Sequence, residues 1–215
     1  MRWTEKAYFP ALLIIVCDII AICTMVWLVD TNDYRASGSS RGQPAIVYDR
    51  SQHVMPVYCQ TDPDWAGTPY LSGTIGSHGC GLVCASMAYS YIFGDELEPD
   101  ELLEMVGDTC STDGVNDMMK FARWLSDSYD GGILYERVWL LDTLKCRVNT
   151  EDVVFVGMSG ILGDRMYSSH VVMMSDMTAT GAFIIDPYDS DNTRTFTWEE
   201  LEHSGLIYYV ILHVT

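Results

Sequence analysis

The apolar positions of this chain fall into blocks whose period changes along its length. Ala7 to Val29 is a nearly unbroken apolar run of 23 residues, long enough to cross a bilayer core, which takes about 20. Asp18 interrupts it near the middle. After Cys80, the residues Val83, Met87, Ala88, Ile92 and Phe93 recur near helical spacing and lead to Gly94, a C′ glycine. Pro99, with Glu98 before it, opens a second, short helix through Leu102, Leu103, Met105 and Val106. Residues 114–129 read as a third helix, with Val115, Met118, Met119, Ala122, Trp124 and Leu125 as its apolar positions. Beyond that the period is lost. Residues 153–158, 170–174, 182–185 and 206–214 are short continuous apolar runs, the pattern of buried strands. Residues 54–60 read as one more short strand. Helices followed by strands predict an α+β domain in which N-terminal helices pack on an antiparallel sheet.

Arg2 and Lys6 precede the long apolar run, and Asp30 and Asp33 come after it. That asymmetry predicts a cytoplasmic segment at 1–6, with the bulk of the chain outside. The run is long for a signal-peptide core, and no Ala-x-Ala-like site follows Trp27. Cys23 follows Ile22, where a lipoprotein would carry a small residue. The expectation is therefore an uncleaved, single-pass signal anchor at 7–29 in the cell membrane, with an extracytoplasmic domain. Asp18 either pairs with a partner helix or is tolerated in a strongly apolar span. Polar residues rich in Ser and Gly at 30–49 predict a flexible linker, leaving 50–215 as the folded domain. The net charge of −18 changes this picture in one respect. It argues against nucleic acid and anionic lipid headgroups as partners.

The candidate chemistry centres on Cys80, held between Gly79 and Gly81 at the first turn of a helix. Unpaired N–H groups and the positive end of the helix dipole favour thiolate over thiol there. His170 opens one apolar run and Asp186 closes the next, ahead of Pro187. If these two runs pair through a turn at 178–181, His170 and Asp186 meet at one end of the sheet. The Asp then orients the imidazole, and the other ring nitrogen faces the sulfur. Gln60, upstream, supplies an amide for a developing oxyanion. His78 lies only two residues before Cys80, but it reads as a loop residue and is set aside. Cys84 reads as a packed core thiol. Cys59, Cys84, Cys110 and Cys146 form up to two bridges or stay free. The turn with Asp186, Asp189, Asp191 and Asn192 lacks the glycine and the closing glutamate of a calcium loop. No metal and no cofactor is expected.

Residues 56–65, Pro-Val-Tyr-Cys-Gln-Thr-Asp-Pro-Asp-Trp, are succeeded by Thr74-Ile75 and Gly79-Cys80-Gly81, then His170-Val171-Val172 and Asp186-Pro187. In this order they resemble the peptidase C39-like family of papain-fold cysteine peptidases, over roughly residues 54 to 213. The resemblance implies a papain-like fold and hydrolysis of a peptide or amide bond through a thioester. It makes Cys80 the nucleophile, His170 the base and then acid, Asp186 the orienter and Gln60 the oxyanion donor. Trp65, Gly79 and Gly81 would then border the substrate cleft, and the partner is a peptide or protein substrate. Members fused to export transporters cut leader peptides after paired glycines. That substrate is not carried over, because this chain reads with one span and no nucleotide-binding domain. Leu82-Val83-Cys84 departs from the Pro, Thr or Ser that often comes after Gly-Cys-Gly in the family, without touching the triad. Two other readings use the same residues: a cell-wall amidase or transpeptidase, and a non-catalytic peptide-binding module.

Overall fold

The computed structural model of the chain describes residues 54–129 and 132–214. The segments expected at 1–6, 7–29 and 30–49, including Asp18, lie outside the described residues. Among the described residues no helix is long and apolar enough to cross a membrane.

The elements in chain order begin with the hairpin β1 (Pro69–Tyr70) and β2 (Gly73–Thr74), which leads into α1 (Ile75–His78). Then come α2 (Cys80–Phe93), α3 (Pro99–Val106), a second hairpin of β3 (Ser111–Thr112) and β4 (Val115–Asn116), and α4 (Met118–Ser128). The second half holds β5 (Leu134–Val138), α5 (Leu141–Arg147), β6 (Val153–Leu162), β7 (Arg165–Ser175), β8 (Gly181–Ile185), β9 (Arg194–Thr197), α6 (Trp198–Glu202) and β10 (Leu206–His213). Six of the strands form one antiparallel sheet in the order β5-β10-β6-β7-β8-β9. This is the expected α+β architecture with an antiparallel sheet.

Both faces of the sheet are covered, which explains why its strands read as continuous apolar runs rather than alternating ones. On one face Phe155, Val171, Met173, Ile185, Val210 and Leu212 pack with α2 and α4 through Leu82, Val83, Met87, Phe121 and Leu125. On the other face Val154, Val156, Val172, Met174 and Ile211 pack against Leu144 of α5 and Leu201 of α6. Helix α2 is buried almost all round, at Leu82, Val83, Cys84, Ala85, Met87, Ala88 and Ile92. An all-round apolar helix is stable only inside a core. Two serines on it are consumed internally: Ser86 Oγ donates to Leu97 O, and Leu97 N donates to Ser90 Oγ at 3.0 Å. The helix ends where expected, at Gly94 in the left-handed region (φ 75°), with its N–H on Ser90 O.

Three expectations need correction. Residues 54–59 are irregular rather than a strand. Polar contacts of this segment and of Gln60 run to other elements, as in Tyr58 N to Met87 Sδ at 3.2 Å and Gln60 N to Pro187 O. The third helix begins at Met118, not at 114. Asp113 (φ 52°) and Gly114 (φ 76°) both sit in the left-handed region and turn β3 into β4, the backbone that an Asp-Gly pair suits in a two-residue hairpin. Asp117 then caps α4, accepting from Met119 N and Lys120 N at 3.1 and 3.2 Å. Third, His170 does not open its strand. β7 starts five residues earlier, and His170 pairs with Met158 beside a bulge at Met158/Gly160.

Candidate active site

Cys80 is the first residue of α2, and the first turn of that helix lies on β7. Cys84, one turn further on, donates its thiol to Val171 O at 3.6 Å, so the turn carrying Cys80 runs beside His170. Cys84 is fully buried, and burial pushes its thiol well up, as for a core cysteine. Cys59, Cys80, Cys84, Cys110 and Cys146 are all free thiols.

His170 and Asp186 meet as the pairing of β7 with β8 requires. Ile185 is registered with Met173, so the chain after β8 runs back alongside His170. His170 Nε2 lies 2.8 Å from Asp186 Oδ1, with both side chains buried. Nδ1 is then the nitrogen left for Cys80. Burial alone would lower the imidazole. Hydrogen bonds to Asp186 and Cys80, and their charges, outweigh it and raise His170 to about 9. Asp186 shifts the other way: burial opposes its charge, but His170, Tyr167 and the Tyr188 N–H hold the carboxyl below its usual range.

Asp186 is itself held from several directions. Tyr188 N and Asp189 N donate to Oδ1 at 2.9 and 3.3 Å. Tyr167 OH and Asn192 Nδ2 donate to Oδ2, the latter at 3.4 Å. Tyr167 also stacks flat on the His170 ring, with centroids 4.4 Å apart and 5° between planes. One aromatic residue thus fixes both the imidazole plane and the second carboxylate oxygen. Sequence reading missed Tyr167 and Asn192 as site residues, since their only signal is a polar residue near a run end.

Gln60 is 3% exposed and ties two parts of the site together. Its backbone N–H donates to Pro187 O, next to Asp186, at 2.6 Å. Its Nε2 donates to Gly76 O at 2.9 Å, four residues before Cys80. One hydrogen of that amide is spent on Gly76, and the other remains available to a bound group. The three other residues expected at a cleft are packed. Trp65 is buried, edge-on to Tyr58 at 5.7 Å, and its indole N–H is consumed by Cys59 O at 2.9 Å. It faces the core because that N–H is satisfied there. Gly79 and Gly81 are buried too. A Cβ at Gly79 would stand 2.5 Å from Ile75 O, and one at Gly81 would stand 2.6 Å from Asn116 Cβ. The room these glycines make is filled by the protein itself.

His78 closes α1 and is exposed, with its ring on Ser77 and Ser72. A separate pocket bordered by Asp164, Arg165, Asp189, Asn192, Arg194 and His203 does not include Cys80 or His170. Its charges are largely paired, Arg165 with Asp189 at 2.9 Å and Arg194 with Glu200 at 3.0 Å. Chemically, the site combines a sulfur at a helix N-terminus, an imidazole held charged against a buried carboxylate, and a fixed amide. That set can generate a nucleophile and return a proton to a leaving group.

No family model matches the sequence, and no curated protein matches it. Among the solved structures similar in fold are three peptidases. One is the peptidase domain of Streptococcus ComA, a bifunctional ABC transporter involved in a quorum-sensing pathway: 14% identity, TM-score 0.45, covering 65% of this chain and 93% of that one. Another is a double glycine motif protease from an AMS/PCAT transporter, solved with its leader peptide: 16% identity, TM-score 0.46, covering 77% and 96%. The third is a C39-like peptidase from Bacillus anthracis: 13% identity, TM-score 0.44, covering 74% and 94%. At these identities and scores, the chemistry of this chain rests on its own geometry.

Proposed function

We propose that residues 50–215 form a cysteine peptidase that hydrolyses peptide bonds through a thioester on Cys80. The observation that supports this most is the His170–Asp186 pair, 2.8 Å apart, buried, and raising His170 to about 9 beside a free thiol at the start of α2. A core histidine serving only packing has no need of a buried carboxylate on one nitrogen and a thiol on the other. In the reaction, Cys80 Sγ attacks the carbonyl carbon of the scissile bond. The oxyanion forms within reach of the Gln60 amide, and imidazolium His170 protonates the departing amine. Neutral His170 next takes a proton from water, which attacks the thioester. The C–S bond breaks with its electron pair on sulfur, and the acid is released. Asp186 holds the imidazole plane and stabilises its charge in both halves.

The same proposal places the peptidase at the cell membrane on a single span at 7–29, with its domain extracytoplasmic after a linker at 30–49. The partner is then a peptide or protein substrate, and Asp18 is the point at which a second helix would pair. A cell-wall amidase or transpeptidase would share the thiol chemistry and differ in the acyl donor. Incubation of the full-length chain with a mixed peptide library, with intact-mass analysis of the products, tests the reaction. An acyl adduct on Cys80 and new peptide termini are expected, and both vanish in Cys80→Ala. Cleavage that persists in Cys80→Ala, or no adduct and no cleavage at all, would contradict the proposal.

A further inference from the structure

His170 and Gln60 do not account for every polar side chain at Cys80. Asn116, the last residue of β4, also lies beside the sulfur, and the proposed mechanism does not use it. Asn116 Nδ2 lies 2.8 Å from His78 O and 3.9 Å from Cys80 Sγ. Tyr70 OH donates to Asn116 Oδ1 at 2.7 Å. These partners settle which way the amide points. His78 O can only accept, so the nitrogen must face it, and the oxygen takes the Tyr70 hydroxyl. One amide hydrogen then serves the His78 carbonyl and the second serves the sulfur. The approach depends on Gly81, where any Cβ would stand 2.6 and 2.7 Å from Asn116 Cβ and Cγ. A clip between the hairpin and His78 O would account for one hydrogen and the oxygen, but not for the hydrogen on sulfur. The 3.9 Å separation is long for such a bond, as site hydrogen bonds are before substrate binds.

We propose that Asn116 is a further catalytic residue whose side-chain amide donates to Cys80 Sγ, with Tyr70 as the positioning residue that locks the amide. It rests on the reading of Cys80 as the nucleophile. The bond forms best to a sulfur bearing charge. It therefore favours thiolate before attack. It meets the same charge again when the thioester collapses and the C–S electron pair returns to Sγ.

The test is the pH profile of Cys80 alkylation by iodoacetamide, read by peptide mass spectrometry on the full-length chain in detergent micelles. Asn116→Ala is expected to slow labelling at pH 6 by about tenfold, the scale of one hydrogen bond to a charged group. Its rate should converge with wild type near pH 9.5. Tyr70→Phe, which keeps the ring and the fold, is expected to slow it by about threefold at pH 6. A profile for Asn116→Ala that superimposes on wild type overturns the proposal. So does a loss equal at every pH, which marks misplacement of the sulfur rather than a lost donor. His170→Ala, run beside them, reports on the peptidase reading alone. If it leaves the wild-type profile unmoved that reading fails, and the Asn116 shift still decides the hydrogen bond.

Discussion

Replacing Asp186 with Asn keeps the size of the side chain and removes its charge. The surroundings of His170 set the size of the effect. Despite burial, His170 stands at about 9 instead of 6.5, because hydrogen bonds and charge from Asp186 and Cys80 raise it. At 1.36 kcal/mol per pH unit the rise amounts to about 3 kcal/mol of preference for imidazolium. A charge-assisted hydrogen bond accounts for about 1.5–3 kcal/mol of it. Without the carboxylate's share of that rise, and with Cys80 still opposing burial, His170 should titrate about one to two pH units lower. The amide also suits the site badly. Its NH2 group would replace Oδ2, which now accepts from Tyr167 OH and Asn192 Nδ2, so two donors would face each other across 3.4 Å. A raised histidine contributes fully to stability below its ordinary 6.5 and loses that contribution as pH rises through about 9. Asp186→Asn should therefore be less stable than wild type at pH 6, with the gap narrowing above pH 9. The assay is an NMR titration of the His170 ring, assigned by its absence in His170→Gln, together with denaturant melts at pH 6 and 9.5. A His170 midpoint that stays within a few tenths of the wild-type value in Asp186→Asn would show that the carboxylate is not what holds the imidazole charged.

Gln60→Ala should lower turnover by about 10²–10³ while leaving Cys80 alkylation at pH 6 nearly unchanged, since alkylation of the sulfur forms no oxyanion. Equal loss in both assays would show that Gln60 only holds the site together. Gly81→Ala places a Cβ 2.6 Å from Asn116 and 2.8 Å from Met118 Sδ. It should cost about 1–3 kcal/mol in a denaturant melt, and an unchanged melt would contradict the packing described. At the far end of the sheet, His213 lies 3.0 Å from Asp152 and 3.3 Å from Glu136, one carboxylate on each ring nitrogen. The Asp152 hydrogen bond raises it against burial, with Glu136 and its charge adding to the rise. Its stabilisation is present below 6.5 and lost as pH rises through the raised value. His213→Gln should therefore cost about 1–3 kcal/mol at pH 6 and less at high pH. A pH-independent difference between the two proteins would reject the doubly bonded imidazolium.

How much of the site can be read from the sequence depends on how local each signal is. The start of α2 was legible because Gly79-Cys80-Gly81 and the apolar spacing up to Gly94 lie within one helix. His170 and Asp186 were legible because each lies at the edge of an apolar run, and antiparallel pairing of consecutive runs brings such edges together. The true start of β7 was not. Arg165, Met166, Ser168 and Ser169 are exposed, so the strand continues past the point where its apolar pattern stops. β5 escaped for a related reason. Glu136 and Arg137 break its apolar run, yet Glu136 is buried and ion-paired with Arg147 from α5. Asn116 was hidden by a period misread: Val115 fits the apolar stripe of α4, while Asp113-Gly114 turns the chain before that helix begins. Tyr167 and Asn192 reach Asp186 from 19 and 6 residues away, and only the folded β7–β8 turn places them there.

The peptidase chemistry proposed for the site depends on Cys80 and His170 forming a thiolate–imidazolium pair. The most direct measurement is site-resolved alkylation of the full-length chain below pH 7, in wild type and His170→Ala. Cys80 should be labelled well ahead of Cys59 and Cys146, the two exposed thiols, and that selectivity should be lost in the mutant. Uniform slow labelling of all three in both proteins would contradict the pair.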